Sequence, residues 1–252
     1  MIILIDGFWG SGKTVLRSLL DGHSELKVSP SQESIISSFY RNSKKSKYLK
    51  YKDLRVVREY LVNSHYYSLE QESFKGYIDS DITKDKINFN FSEFEIFWTK
   101  KLLKCDTWTN TEVINVIHNS IIKFFYNLDS YPSEEKKVFM EDNNFNSHKF
   151  FLEQVQNSKL IVVKNAASDI LASLVNRKTL KDDYRTDLYN SYNFNNLVRK
   201  YYFPIKISEN LKITKQIKKD FPDRVYECDF KELIYNTKDE MLRISKFLKI
   251  QE

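Results

Sequence analysis

MIILIDGFWGSGKT, residues 1–14, joins a short apolar run to a loop that holds three of the five glycines in the chain. The run MIILI has the length and composition of a buried strand, and the segment TVLRSLL after the loop repeats its apolar residues at helical spacing. A strand, a loop of the form G-x-x-x-x-G-K-T and a helix together make up a phosphate-binding loop. Glycines let the backbone approach an anion closely at the positive end of the helix. The stretch therefore predicts that residues 7–14 bind a phosphorylated ligand.

Composition and charge narrow the classes of protein to consider. The 252 residues, 41% of them hydrophobic and 15% aromatic, are enough for one large domain or for one domain with a substantial insertion. Forty Lys and Arg against 34 Asp and Glu leave a net charge of +6, which suits an anionic ligand. This excess is too small to indicate nucleic acid by itself, and no helix-turn-helix or RNA-recognition signature accompanies it. We therefore predict no nucleic-acid partner.

Cysteine usage and the length of the apolar runs indicate a cytoplasmic protein. Cys105 and Cys228 are too few for a disulfide framework and lack the spacing of metal ligands, so we predict no metal site. No apolar run approaches the roughly 18 residues of a membrane span. Strand-like sequence begins at the first residue, without the basic region of a signal peptide. The sequence makes no prediction of the oligomeric state.

The rest of the chain alternates strand and helix patterns. Four further runs are typical of strands, at residues 25–30, 137–142, 159–165 and 224–229. Helical patterns follow the last two, at residues 168–177 and 230–250. This alternation predicts an α/β fold of the phosphate-loop type with a doubly wound parallel sheet.

Residues 31–136 depart from this alternation. Two stretches within them, 35–62 and 111–128, have amphipathic helical patterns that are rich in aromatic residues. We interpret residues 1–252 as a single domain with a helical insertion at about 31–136 on the substrate side. Residues 182–204 are a smaller candidate cover for the site.

Residues 10–30, GSGKTVLRSLLDGHSELKVSP, resemble the first motif of the PAPS-dependent sulfotransferases, where PAPS is 3′-phosphoadenosine 5′-phosphosulfate. That motif runs K/R-S-G-T-T-x-L-x-x-L-L-D-x-H-P, and the positions in register with it are Ser11, Gly12, Thr14, Leu16, Leu19, Leu20, Asp21 and His23. Residues 160–177 resemble the second motif, a strand followed by R-D/N-P-R-D-x-x-x-S. Residues 225–250 resemble the close of the family, a strand, then Y/F-E-D-L, then a helix.

The resemblance implies transfer of a sulfuryl group from PAPS to a hydroxyl or amine acceptor, either a small molecule or a glycan, with release of PAP. It also implies that donor-binding residues lie in the loop and around the 3′-phosphate: Gly10, Ser11, Gly12, Lys13, Thr14, Lys164 and Ser173. Lys13 would stabilise charge that develops on the bridging oxygen. Glu33 lies two residues beyond the place of a glutamate in tyrosylprotein sulfotransferases and is the leading candidate for the general base.

Departures from the family keep two other functions open. Gly10 stands where the family has Lys or Arg, Lys13 stands where it has Thr, and the arginine of the second motif is replaced by Lys164 or Asn165. IDGFWGSGKT also resembles the opening of small nucleotide kinases, in which the carboxylates of FMED, residues 139–142, would serve Mg-ATP. The alternatives are an ATP-dependent small-molecule or nucleotide kinase and a non-catalytic nucleotide-binding protein.

The remaining candidates are the four histidines and a basic run, and each of them has a purely structural interpretation. We interpret His23 as a capping or packing residue, and His65, His118 and His148 as structural or solvated. The run of residues 41–58 contains eight basic residues and one acid. Such a run is typical of a solvated face, and it could also steer an anionic acceptor such as an acidic glycan.

Overall fold

The computed structural model describes residues 1–8, 10–33, 35–37, 40, 48–50, 58, 90–141, 145–176 and 203–251. Within these ranges, only the backbone is described for residues 30–33, 48–50, 91, 171, 173–176 and 203–204. All structural statements below concern this part of the chain.

Five of the described strands form a parallel sheet in the order β2-β5-β1-β6-β7. The strands, in chain order, are β1 Ile2–Gly7, β2 Leu26–Glu33, β3 Tyr48–Lys50, β4 Thr107–Thr109, β5 Lys136–Glu141, β6 Ser158–Lys164 and β7 Val225–Asp229. β1 lies between β5 and β6, so the direction of the strand order reverses beside it. Ligands of open α/β sheets bind at such a switch point, at the carboxyl ends of the strands.

Helices cover both faces of this sheet. In chain order they are α1 Lys13–Leu20, α2 Phe91–Leu102, α3 Asn110–Phe125, α4 Phe145–Gln154, α5 Ala167–Asn176, α6 Phe203–Asp220, α7 Phe230–Tyr235 and α8 Thr237–Leu248. Ile2 and Leu4 of β1 lie in one apolar cluster with buried residues of α3 and α4. Ile3 and Ile5 lie in a second cluster with buried residues of α1 and α8. Because both faces are covered, β1 is apolar at consecutive positions and does not alternate.

The predicted fold class is confirmed, and the predicted strands at 25–30, 137–142, 159–165 and 224–229 are present as β2, β5, β6 and β7. The predicted single helical tail is wrong in one respect, because it consists of α7 and α8. Asn236 separates them with φ −126° and ψ 41°, outside the helical region.

The helical prediction for residues 35–62 is wrong at residues 48–50. These residues form β3, which pairs antiparallel with β4. Trp108 of β4 is buried and its Nε1 donates to the Leu102 carbonyl at 2.7 Å, which anchors β4 to the end of α2. Pairing with a distant segment therefore overrides the local helical pattern. Most of 35–62 and residues 182–202 lie outside the described residues, and 203–204 begin α6.

The structure also shows the character of the helices and the state of the two cysteines. None of the described helices is both long enough and apolar enough to cross a membrane. Cys105 and Cys228 are both free thiols, the first exposed and the second buried.

Candidate functional site

The loop between β1 and α1 contains two glycines in the left-handed region. Gly10 has φ 77° and Gly12 has φ 102°, and Gly12 is the N-cap of α1. The Ser11 amide donates to the Phe8 carbonyl at 2.9 Å and closes the turn. Trp9 lies outside the described residues. This backbone turns from the end of β1 into the helix within a few residues, as a phosphate-binding loop requires.

Close contacts around the loop leave no room for side chains at two of its glycines. A Cβ at Gly7 would lie 2.5 Å from both the Ser11 Oγ and the Val163 carbonyl of β6. A Cβ at Gly12 would overlap the ring of Phe230, the first residue of α7. Phe230 therefore packs directly against the loop.

Polar groups of the loop suit an anion. The first amides of a helix have no carbonyl acceptor within the helix, and α1 has no acidic residue in its first turn. Ser11 is buried, and its Oγ has no hydrogen-bond partner among the described residues. A phosphate or sulfate oxygen would satisfy these donors, so the loop fits the predicted class of ligand.

Lys13, the first residue of α1, is only 7% exposed. Its Nζ donates to the backbone carbonyl of Glu141 at 2.9 Å and to Asp6 Oδ1 at 3.3 Å. The side chain therefore turns back to the carboxyl ends of β5 and β1. A solvated lysine on the first helical turn is excluded by this burial.

Asp6 is fully buried and is the acceptor of several hydrogen bonds. It accepts from the Gly7 amide at 2.7 Å and from His148 Nε2 at 2.7 Å, in addition to Lys13. Burial by itself raises the pKa of Asp6, but the charge of Lys13, the bonds from His148 and the Gly7 amide outweigh it and hold the pKa below the usual range. Asp6 is therefore ionised at neutral pH.

His148 of α4 lies behind this carboxylate. The sequence predicts a structural or a solvated residue, and the solvated alternative is wrong because the side chain is buried. An ionised carboxylate only accepts hydrogen bonds, so Nε2 carries a proton and donates it to Asp6 Oδ2. Nδ1 has no hydrogen-bond partner within the described ranges.

Two glutamates end neighbouring strands next to the loop. Glu33 ends β2 and is in register with Glu141, which ends β5. The Glu33 side chain is outside the description, so the candidate base is located only by its backbone. Glu141 is buried, and its Oε1 accepts from the hydroxyl and, at 3.3 Å, from the amide of Ser37.

Lys164 ends β6 and forms an ion pair with Glu227 of β7. The Lys164 Nζ lies 2.6 Å from Glu227 Oε2, and Lys218 of α6 lies 3.6 Å from the other oxygen. Burial tends to raise the pKa of Glu227, but the two lysines lower it overall. Ser173 lies within α5, the helix that follows β6, and its side chain is outside the description.

The other described histidines have structural contacts. His23 Nε2 donates to the Gln251 carbonyl at 3.1 Å and Nδ1 accepts from the Glu25 amide at 3.1 Å, as expected for a capping residue. His118 is buried in α3 and binds the Ile114 carbonyl of its own helix at 2.7 Å.

Solved structures provide the comparison that decides the fold. No protein-family model and no curated protein matches the sequence. The sulfotransferase domain of the Synechococcus olefin synthase is matched over 100% of this chain and 74% of that chain, with a TM-score of 0.57 and 13% identity. The sulfotransferase domain from the curacin biosynthetic pathway is matched over the same shares, 100% and 74%, with a TM-score of 0.57 and 16% identity. The chain has a sulfotransferase fold.

In this sulfotransferase fold the predicted site positions share one edge of the sheet. Glu33 ends β2, the loop of residues 10–14 follows β1, and Lys164 ends β6. All these strands are parallel, so their carboxyl ends meet at the same edge.

The sequence patterns assign no role to Asp6 or Phe230. The charge of Asp6 at the end of the apolar run MIILI was an available signal, whereas the contact of Phe230 with Gly12 depends on the fold.

A cavity of about 610 Å³ lies at the opposite, amino-terminal edge. Met1, Lys137 and Asn157, which stand at or next to the starts of β1, β5 and β6, line it. Lys137 Nζ donates to the carbonyls of Pro132 at 2.5 Å and Glu135 at 2.9 Å, and burial lowers its pKa to about 8. This cavity is separate from the loop.

The described residues contain no group of three or more His, Cys, Asp or Glu side chains that could hold a metal ion.

Proposed function

We propose that the protein transfers a sulfuryl group from PAPS to a hydroxyl or amine acceptor and releases PAP. The observation that carries the proposal is the position of the glycine loop: in a chain with a sulfotransferase fold, it lies at the switch point of the parallel sheet. The motif-like residues after the loop support the same function.

Donor binding is proposed to use the loop after β1 together with the end of β6 and the helix that follows it. The loop of residues 10–14 binds the 5′-phosphosulfate through its amides other than that of Ser11, which donates to Phe8, and the buried Ser11 hydroxyl supplies a further donor. Lys164 and Ser173 bind the 3′-phosphate. Because Lys164 is paired with Glu227, the phosphate has to compete with this carboxylate for the ammonium.

The proposed chemistry is an in-line displacement at sulfur. The acceptor oxygen or nitrogen forms a bond to sulfur, the bond from sulfur to the bridging oxygen breaks, and its electron pair stays on the 5′-phosphate of PAP. Lys13 stabilises the charge that develops on that oxygen. Glu33 accepts the proton of the acceptor.

The acceptor side is proposed to lie in residues 31–136 and 182–204, within a single domain that spans the chain. The basic run 41–58 would attract an anionic acceptor such as an acidic glycan. We also propose a cytoplasmic location, as two free cysteines suggest.

An ATP-dependent kinase is the second candidate. The observation in its favour is the buried Glu141, whose carbonyl accepts from Lys13 at the end of the strand beside the loop. A carboxylate at this place could serve Mg²⁺ in phosphoryl transfer.

Thermal unfolding with added nucleotides tests the proposed function. A ligand that binds only the native state raises the melting temperature by mass action. We expect PAP to raise it in the presence of EDTA, and AMP, which lacks the 3′-phosphate, to raise it less. ATP with EDTA is the matched control for adenine and phosphate charge.

The outcomes separate the candidates. Stabilisation by ATP only with Mg²⁺, and none by PAP, would support the kinase and contradict the proposal. Stabilisation by PAP without turnover of PAPS on any hydroxyl or amine acceptor would support a non-catalytic nucleotide-binding protein.

A further inference from the structure

A chain of three buried side chains runs behind the loop. His148 of α4 binds Asp6 Oδ2, and Asp6 Oδ1 binds the Lys13 ammonium. The links are 2.7 Å and 3.3 Å long, and Asp6 and His148 are fully buried. None of the sulfotransferase-like motifs includes Asp6 or His148.

An incoming anion has to share the Lys13 ammonium with the acceptors that already hold it. Lysine has three N–H donors, and two of them point to the Glu141 carbonyl and to Asp6 Oδ1. The Glu141 carbonyl is neutral, whereas Asp6 carries a charge. Of the two acceptors, the charged Asp6 is therefore the stronger competitor of an incoming anion for the ammonium.

The Asp6 carboxylate is itself held in one orientation. The Gly7 amide donates to Oδ1, and His148 donates to Oδ2 from the other side. A carboxylate bound at both oxygens cannot rotate without losing a buried hydrogen bond. His148 thus directs Oδ1 towards the lysine.

We propose that Asp6, oriented by His148, is a positioning residue that holds the Lys13 ammonium at the ends of β1 and β5 until an anion competes for it. The identity of that anion as the phosphosulfate of PAPS rests on the proposed function. The positioning itself concerns any phosphate that the loop binds.

Calorimetric titration with inorganic pyrophosphate tests this role without a nucleotide. Asp6→Asn removes the competing charge and keeps the shape of the side chain. We expect this variant to bind pyrophosphate about tenfold more tightly than the wild type, the size of one charge-assisted contact. A damaged fold would weaken binding, so a gain in affinity cannot come from misfolding.

A double-mutant cycle with Lys13→Met shows whether Asp6 acts through the lysine. In the Lys13→Met background Asp6→Asn is expected to change the pyrophosphate affinity by less than about twofold, because no ammonium is left to release. His148→Gln keeps an N–H donor for Asp6, so its affinity should stay within about twofold of the wild type. His118→Gln is the control for loss of a buried histidine on another helix, whose Nδ1 binds the Ile114 carbonyl and whose ring packs on Phe139.

The results test the positioning role of Asp6 separately from the proposed donor. Unchanged or weaker pyrophosphate binding by folded Asp6→Asn, or an equal gain in the Lys13→Met background, would overturn the positioning role. If Asp6→Asn does not fold, Asp6→Ser replaces it with the same expectation. Binding of pyrophosphate but not of PAP, with the cycle as expected, would reject the proposed donor and keep the positioning role. Failure of the wild type to bind pyrophosphate would overturn the positioning role too.

Discussion

At the scale of single residues, Gly12 and Gly22 form a natural pair for comparison. Both have positive φ, 102° at Gly12 and 83° at Gly22. A Cβ at Gly12 would meet the Phe230 ring, whereas a Cβ at Gly22 would meet nothing within 4 Å. The two positions therefore share the backbone strain of a substitution but differ in its packing.

We expect Gly12→Ala to lower the free energy of unfolding by about 2–4 kcal/mol, from left-handed strain together with overpacking. Gly22→Ala should lower it by only about 1 kcal/mol, since only the strain is present. Urea unfolding of both variants measures the difference. Equal losses would show that Phe230 does not press on the loop.

Asp6 makes stability depend on acid pH. Its pKa is lowered in the native state, so its carboxylate adds stability above the unfolded pKa of about 3.9, and this contribution is lost as pH falls through the lower native pKa. We expect the free energy of unfolding lost in Asp6→Asn to be largest near pH 7 and to shrink below about pH 4. Urea unfolding at pH 7, 4 and 3 measures this. A loss that stays constant over that range would contradict the assignment of an ionised Asp6.

At the scale of secondary-structure elements, β6, β7 and α6 meet around Glu227. Lys164 of β6 and Lys218 of α6 bind its two carboxylate oxygens. Lys164 lies at the carboxyl edge of the sheet beside the loop, while Lys218 belongs to the covering helix. Lys164 is therefore the residue to test, and Lys218, which binds the same carboxylate, is its matched control.

Lys164→Met is expected to weaken PAP binding by roughly 10- to 100-fold, the size of a charge-assisted bond to the 3′-phosphate. It should leave AMP binding almost unchanged. Lys218→Met, which removes the other partner of Glu227, should affect neither nucleotide. Calorimetric titration measures both affinities, and equal losses of PAP and AMP binding in Lys164→Met would remove Lys164 from the 3′-phosphate site.

The start of α3 carries a capping box. The Thr109 hydroxyl accepts from the Glu112 amide, and the Glu112 carboxylate accepts from the Thr109 amide at 2.7 Å. Thr109→Ala should cost about 1 kcal/mol of stability, and Glu112→Gln should cost less because glutamine preserves the box. Urea unfolding measures both, and no loss in Thr109→Ala would contradict the cap.

At the scale of the whole molecule, the sequence predicts elements whose signal is local. The three central strands, β1, β5 and β6, are largely apolar runs buried on both faces, and the loop has its own motif, so these elements could be predicted. β3 could not, because its three residues are held by pairing with β4 more than 50 positions away. The contact between Asp6 and His148 likewise joins residues 142 positions apart. Neighbouring residues carry no signal for such a contact.

The central claim is that the carboxyl edge of the sheet binds PAPS through the loop and the end of β6. A crystal structure of the complex with PAP tests it most directly. We expect the 5′-phosphate within hydrogen-bonding distance of the Ser11 hydroxyl and of the amides of residues 12–14, and the 3′-phosphate at Lys164. PAP bound elsewhere, for example in the cavity of about 610 Å³ at the amino-terminal edge, would contradict the claim.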